Sequence, residues 1–556
     1  LVAGLPDPGA APAPAFDFAD LDALTRAYED ARAADERRAG GAWYTPDWLV
    51  GRVLDGALDR GNGVLLDPAC GAGAFLVAAA RRAPRRDALR GALRGVDADP
   101  TAVFLTRLAL WQTVAPTRPP PTELSQVVIW GDALLGGTPA RPRPADAVSV
   151  DTAPTEGAPP VEWAARWPEV FDLSRGAPGH AGWPGGVDVV IGNPPYRAGR
   201  HAGLGPQRAL VRALYAAAEY QVDPYVLFLE RGLDLLRPGG RLALLVPNSF
   251  LANHRAGRLR ARLLRGARLD RLVEVPASAF AAAVETVVIH VTAGAAAQAS
   301  VPVEDVDGSP TGALLIDLER PESPFARART ANVARLLQTA RGWPETLGGV
   351  CDITRGINPY HRLTHTPAQI AARVHHADHA PDAAWRPELR GRDLRAPYRL
   401  RWGGDRFVHY GPWLREPRNP RFFEGPRLLA RKVLGERIHA VYVDTPWLTD
   451  QSVYIARLGP DAAWPGPALL ACVASALVAA LLRARHAEDD AIFPQLKVGD
   501  FAGIPLPPVG PRDPAVQLLA EAAAALQAQE GPVDQAALAA IERQVELLYG
   551  VPGWAG

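Results

Sequence analysis

The sequence predicts an α/β fold with a parallel sheet covered by helices over residues 41 to 300, followed by a region of different composition. Three observations carry this. Short apolar runs alternate with helical segments in VLLDPA, AFLVAAARRA, LRGVDAD, AVFLTRLALWQTV and VVIWGDAL, as in a parallel sheet covered by helices. Several of these runs end in a polar residue: Asp67, Asp97, Asp132 and Asn193. That is the edge at which open α/β sheets bind ligands. From residue 345 onward Trp, His and Arg become frequent and the apolar runs turn short and irregular.

The elements follow in order. Residues 1 to 15 are Pro/Ala/Gly-rich and lack the basic stretch and apolar core of a secretory signal. Residues 17 to 39 place Leu21, Leu24 and Tyr28 at helical spacing, so 1–40 reads as a disordered start and a helical arm. The first domain, 41–300, is interrupted at 136–186 by a Pro/Gly-rich insertion with WAARWPEVF as an ordered island. RLALLVPNSF and TVVIHVTA add strands. HRAGRLRARLLRGARLDR (254 to 271) reads as a helix with a charged outer face. Residues 301–344 read as a mixed connector, 345–510 as a second domain, and 511–556 as C-terminal Ala/Leu-rich helices.

Bulk properties exclude some classes. At 556 residues the chain exceeds one ordinary core. Its 60 basic and 60 acidic residues cancel, so nucleic-acid binding would have to come from local patches. No apolar run approaches the roughly 18 to 20 residues of a membrane span, so no membrane is expected. Cys70, Cys351 and Cys472 are far apart and odd in number, which argues against a disulfide framework and for a reducing, cytoplasmic setting. There is no methionine, and the only lysines are Lys432 and Lys497.

LLDPACGAGAFL (65 to 76) ends a strand in Asp67, turns through Gly71 and Gly73, and opens a helix. Glycines let a backbone approach a ligand. Asp97 in GVDAD ends the next strand, where a carboxylate accepts both ribose hydroxyls, and Asp132 in GDAL is placed to accept an adenine amine. Any one of these acids alone reads as a cap or turn residue; three at successive strand ends do not. A dinucleotide site is disfavoured because Leu76 stands where G-x-G-x-x-G needs its third glycine. A cofactor with ribose and adenine but no phosphates, S-adenosylmethionine, fits better.

The ordered strings GAWYTP (41 to 46), DPACGAGAF, GVDADP, GDAL and GNPPY (192 to 196) resemble those of the γ-class, TaqI-like DNA adenine methyltransferases. That class includes the methylase halves of single-chain restriction-modification enzymes. The resemblance continues through DPYVLFLERGLDLLRPGG, VPNSF, LGGVCDITRGINPY, ELRGRDL, FFEGPRLLARKV and FPQLKVGDFAGIPLP. It implies an α/β, Rossmann-like S-adenosylmethionine-dependent methyltransferase domain with a mixed, mostly parallel sheet, followed by an α+β target-recognition domain.

The resemblance also implies roles. Asn193 and the carbonyl of Pro194, stiffened by Pro195, would hold the exocyclic amine of a flipped adenine. Tyr196 and Phe280 would stack on its two faces. Tyr44, Thr45 and Pro46 would meet the methionine end of the cofactor and Asp67 its amino group. Ala69, Gly71 and Gly73 would line the cleft, Asp97 would take the ribose, and Asp132 with Ala133 the adenine, flanked by Phe75 and Ala98. Trp43 stands where the family often has tyrosine.

Between 386 and 437 arginines outnumber acids and are interleaved with aromatic residues, a pattern suited to phosphate contact. Arg355, Arg392, Arg427, Arg431 and Lys432 are the DNA-binding candidates. His361, His365, His375, His376 and His379 have no cysteine partners at ligand spacing, so no metal is expected. The expected partner is double-stranded DNA, with a separate endonuclease or other defence subunits left open, and the chain is expected to be a monomer. A glutamine methyltransferase acting on release factors shares the Asn-Pro-Pro-Tyr loop but lacks a large C-terminal half. A cytosine-amine methylase is disfavoured because Asn, not Ser, precedes the prolines. A non-catalytic DNA specificity subunit would be expected to lose Asn193 or the acids. Because only about forty lysine-free residues precede GAWYTP, too few for an independent domain, the chain is expected to methylate and not to cut.

Overall fold

The computed structural model describes residues 45–58, 63–82, 92–114, 124–139, 141–142, 157–172, 185–196, 208–218, 223–279, 285–362, 364–459, 462–485 and 495–554, with Thr25 and Tyr28. Both isolated residues are helical; the rest of the expected arm over 17–39 lies outside the described residues. The chain divides into two compact units, Leu1–Phe325 and Ala326–Gly556.

The first unit is built on one sheet. Its strands are β1 (Leu65–Asp67), β2 (Leu93–Asp97), β3 (Val128–Trp130), β4 (Val187–Gly192), β5 (Leu236–Pro247), β6 (Ala267–Val275), β7 (Thr286–Ala293), β8 (Ser300–Glu304) and β9 (Pro310–Leu315). They lie in the order β9-β8-β6-β7-β5-β4-β1-β2-β3. From β5 to β3 every pairing is parallel. β7 runs antiparallel between β5 and β6. This is the mixed, mostly parallel sheet that the resemblance implies.

Helices α1 (Asp47–Ala57), α2 (Ala74–Arg82), α3 (Pro100–Val114), α4 (Pro224–Leu235) and α5 (Gly257–Gly266) belong to the same unit. Leu49, Val50, Val53, Leu54 and Ala57 make one face of α1, and all are buried. They share a core with Phe75, Leu76, Val103, Ile191, Leu245 and Val288, and each fully buried aliphatic side chain stabilises the fold by roughly 1.5–3 kcal/mol. The WAARWPEVF island is ordered, with Trp163, Trp167 and Phe171 buried. The Trp167 indole donates to the carbonyl of Gln126 just before β3.

Two expectations are corrected. Residues 301–344 are not simply a connector: β8 pairs with β6, and β9 with β8, extending the sheet. The basic run 254–271 is not one helix, because α5 stops at Gly266 and Ala267 begins β6. Nor is its charge all outward. Arg260 is fully buried, with its guanidinium bonded to the carbonyls of Phe250, Asn253, Glu322 and Ser323.

The second unit holds an antiparallel sheet of Cys351–Arg355, Val453–Leu458, Arg427–Arg431 and Ala440–Val443, in that order. A smaller sheet joins His376–Ala377, Phe407–His409, Trp385–Leu389 and Leu448–Thr449. Ile357, Leu389, Val408, Phe423, Leu429 and Ile455 form the core between these segments. Pro514–Ala528 and Gln535–Leu548 are helices opened by the side-chain caps Asp513 and Asp534, where the sequence predicts a helical C-terminus. Among the described residues no single helix is long and apolar enough to cross a membrane. The bent apolar pair Gly466–Ala474 and Ala476–Arg485 is almost wholly buried in the core.

Candidate active site

The carboxyl ends of four adjacent parallel strands converge on one edge of the sheet. β4 ends at Gly192–Asn193, β1 at Asp67 and β2 at Asp97, and β3 leads into Asp132. The chain reverses its direction of travel across the sheet between β4 and β1, the place where such sheets open a crevice for ligands.

The glycine turn after β1 is held from several sides. Ala69 N–H donates to Asp67 Oδ1 at 3.1 Å, Cys70 N–H to the Val96 carbonyl at 2.9 Å, and Gly71 N–H to Asp97 Oδ2 at 2.8 Å. Gly71 and Gly73 take positive φ, +53° and +94°, a region open to glycine. A Cβ on Gly73 would lie 2.8 Å from Thr106 Cγ2. Thr106, on α3, donates its hydroxyl to the Gly71 carbonyl at 2.7 Å. Nothing in its sequence context marks it, since a threonine inside an apolar helix looks like filler.

The loops after β2 and β3 are fixed in the same manner. Asp97 Oδ1 accepts from Asp99 N–H at 2.9 Å. The Trp130 indole donates to the Ala98 carbonyl at 3.0 Å, and the Tyr28 hydroxyl to Asp99 Oδ2 at 2.7 Å. Asp132 Oδ1 accepts from the N–H groups of Leu134 and Leu135, so one of its oxygens does the work of a turn residue. Arg231, buried on α4, bonds the carbonyls of Leu134 and Gly136 and the hydroxyl of Tyr215. Sequence reading missed Trp130 and Arg231, whose partners are far along the chain.

Electrostatically Asp67 stands out. It is fully buried, its Oδ2 has no hydrogen-bond partner, and its pKa is pushed up to about 8. Burial is the main cause; the Ala69 N–H opposes it and the charge of Asp97 adds to it. Burial also raises Asp132 and the Cys70 thiol. An orphaned, buried carboxylate oxygen is costly unless a donor or cation arrives. The unpartnered oxygen of Asp67 therefore fits a ligand that brings a donor or cation, such as an ammonium group.

At the end of β4, Asn193 Nδ2 donates to Thr45 Oγ1 at 3.0 Å. Thr45 precedes Pro46, the N-cap of α1, and GAWYTP and GNPPY are thereby joined across 148 residues. Pro194 is buried and Pro195 half-buried. Tyr196 is 3% exposed and its hydroxyl is unpartnered; burial raises its pKa further above the usual range. Phe75 and Ala133 are buried, Phe75 within the core cluster, whereas Ala98 is exposed. Tyr44 and Phe280 lie outside the described residues.

In the second unit Arg392 is exposed, and Arg431 and Lys432 are half-buried. Arg355 pairs with Glu416 at 3.0 Å. Arg427 is a correction. It is fully buried in its strand, its guanidinium bonded to the carbonyls of Gly425, Thr445 and Trp447, and burial lowers its pKa to about 10. An arginine so enclosed ties loops together, an environment that does not suit the expected phosphate contact. Of the histidines, His365 and His375 face one another with Nε2 atoms 3.1 Å apart, and His376 bonds the Tyr360 hydroxyl. Among the described residues no group of three or more His, Cys, Asp or Glu could hold a metal ion.

Comparison with known proteins adds the following. Residues 92–280 match the family described as Eco57I restriction-modification methylase, and residues 19–112 the family described as N-6 DNA Methylase. A stretch of 88 residues is 34% identical to the type II restriction enzyme and methyltransferase RM.Eco57I of Escherichia coli, covering 16% of this chain and 9% of that protein. Another of 77 residues is 39% identical to the type I restriction enzyme MjaIX methylase subunit of Methanocaldococcus jannaschii, covering 14% of each. The matches thus span only a small part of those relatives. In fold, the chain is similar to the type IIL restriction-modification enzyme MmeI, solved in complex with DNA, with a TM-score of 0.52 and 13% identity over 97% of this chain and 76% of that one. It is also similar to the DrdV–DNA complex, with a TM-score of 0.50 and 14% identity over 92% and 60%.

Proposed function

We propose that the chain is a site-specific DNA methyltransferase that transfers a methyl group from S-adenosylmethionine to N6 of an adenine flipped out of duplex DNA. Its setting is restriction-modification or a related phage defence. The matches to the two methylase families support this. The observation that carries it is Asn193, with its amide nitrogen on Thr45, at the end of β4 beside the buried Asp67 at the end of β1.

Bound at this edge, S-adenosylmethionine supplies an electrophilic methyl group. Asp67, whose Oδ2 is unpartnered, would hold the ammonium, Asp97 and Asp132 would hold the ribose and adenine, and the Gly71–Gly73 turn would let the backbone come close. On the target side, the lone pair of an exocyclic amine is delocalised into its ring. Asn193 Oδ1 and the Pro194 carbonyl would each accept one N–H and so localise that lone pair toward the methyl group. The N–C bond forms as the S–C bond breaks, and the amine, made acidic by the transfer, then loses one proton to water, so no strong base is needed beforehand. Tyr196 and Phe280 replace the stacking lost on extrusion, a contact worth ~1–3 kcal/mol per base. Residues 345–510 serve as a TaqI-like target-recognition domain, with Arg392, Arg431 and Lys432 toward DNA.

The test is direct. The chain is incubated with unmethylated double-stranded DNA and S-adenosylmethionine labelled in the methyl group, and the DNA is digested to nucleosides. Label in N6-methyladenine is expected. Label in protein glutamine, or none in nucleosides, overturns the proposal.

A further inference from the structure

We infer that Thr45 is a positioning residue for Asn193: it holds the side-chain amide so that the oxygen, not the nitrogen, faces the target amine. This rests on the methyl transfer proposed above and assigns Thr45 a task other than contact with the methionine end of the cofactor. Asn193 Nδ2 donates to Thr45 Oγ1 at 3.0 Å, and Thr45 is 6% exposed.

The position of that hydroxyl is set by the core. Pro46 caps α1, accepting from the N–H groups of Leu49 and Val50 at 2.9 and 3.0 Å. Leu49, Val50, Val53 and Leu54 are sunk into the cluster that also contains Ile191, two residues before Asn193. Both ends of the hydrogen bond are therefore anchored in one rigid body.

An amide turned by 180° exchanges an acceptor for a donor pair at nearly equal shape. The target amine offers only N–H donors to the loop, so the oxygen-inward orientation is productive and the reverse sets donor against donor. With oxygen inward, the amide nitrogen needs an acceptor on the protein side, and Thr45 Oγ1 accepts from it. Valine would keep the shape of Thr45 and remove that oxygen.

The experiment uses the full chain and the variants Thr45→Val, Thr45→Ala, Thr45→Ser, Asn193→Ala and the double variant T45V/N193A. Single-turnover transfer of labelled methyl to amplified mixed-sequence DNA free of N6-methyladenine is measured beside the cofactor dissociation constant by calorimetry. Thr45→Val and Thr45→Ala are expected to slow transfer by roughly tenfold or more with cofactor affinity changed by less than about threefold. Thr45→Ser should restore most of the rate. In the Asn193→Ala background Thr45→Val should add nothing, because the two residues act as one unit. An unchanged rate in Thr45→Val overturns the inference, as does a loss confined to cofactor affinity or an undiminished extra loss in the double variant. A wild-type chain that transferred no methyl to DNA would instead overturn the reading on which it rests.

Discussion

A Cβ placed on Gly192 would lie 2.7 Å from Oδ1 of Asp67. The last residue of β4 thus packs its bare backbone against the buried acid that ends β1. The two sides of the proposed reaction meet here: Asp67 toward the cofactor, and Asn193, next in the chain, toward the base.

Gly192 has φ +149° and pairs with Leu244 of β5, so a methyl group there meets both backbone strain and the buried carboxyl group of Asp67. Gly192→Ala should lower stability by about 1–3 kcal/mol, the usual size of such strain, and weaken cofactor binding as Asp67 is displaced. Thermal unfolding and calorimetry check this. An unchanged Tm together with unchanged cofactor affinity would show the contact to be slack.

The raised pKa of Asp67, about 8 against 3.8 for an ordinary carboxyl, gives a sign to two pH dependences. Between these values the folded chain holds a proton that the unfolded chain has lost, so this residue's contribution to stability falls as pH rises from about 4 to 8. Binding an ammonium favours the carboxylate, so cofactor binding should release a proton and tighten as pH rises toward 8. Above that, the ligand's own amino group, with a pKa of about 8, should reverse the trend. Calorimetry in two buffers of different ionisation enthalpy reads the proton release. Asp67→Asn should abolish the rising limb, and a wild-type affinity flat from pH 6 to 8 would exclude Asp67 from the ammonium site.

Thr106 reaches the glycine turn from α3, where its hydroxyl holds the Gly71 carbonyl at 2.7 Å. Thr106→Val keeps its packing against Gly73 and deletes that bond. The expected cost is about 1 kcal/mol, seen as a severalfold weaker cofactor with the single-turnover rate at saturating cofactor preserved. A loss of rate with unchanged affinity would place Thr106 elsewhere in the chemistry.

These cases separate what the sequence makes legible from what it hides. Asp67, Asp97, Asp132 and Asn193 were legible because each follows a short apolar run, and a strand's carboxyl end has one place to go in a parallel sheet. Thr106, Trp130 and Arg231 were not, because they act on backbone carbonyls 35, 32 and about a hundred residues away, and such pairing leaves no local pattern. The strands β8 and β9 read as connector because they are short and carry exposed residues, and because Pro302 interrupts the alternation of SVPVE that would otherwise mark a strand. The sheet that gives that alternation meaning lies earlier in the chain. Counting arginines between 386 and 437 located a basic segment but could not tell which of them face inward.

Arg427 and Arg392 put that last distinction to a test. Both were candidates for DNA contact, and both sit in segments rich in arginine. Arg427 is enclosed and bonds three backbone carbonyls, those of Gly425, Thr445 and Trp447, whereas Arg392 is exposed beside the buried Asp393. Deleting the guanidinium removes bonds to carbonyls on partly or fully exposed residues, each worth a net ~0.5–1.5 kcal/mol, and leaves a gap where the buried side chain stood. Arg427→Met should therefore lower the Tm by many degrees, and any loss of DNA binding should follow the loss of folded protein. Arg392→Ala should leave the Tm in place. If that guanidinium meets a phosphate, the variant should bind duplex DNA more weakly at every sequence, with a salt dependence of log Kd shallower by about one. Binding titrations at several salt concentrations beside thermal unfolding distinguish the two patterns. A stable Arg427→Met chain with weakened DNA binding would reverse the assignment, because it would mean that the enclosed guanidinium opens to meet the duplex.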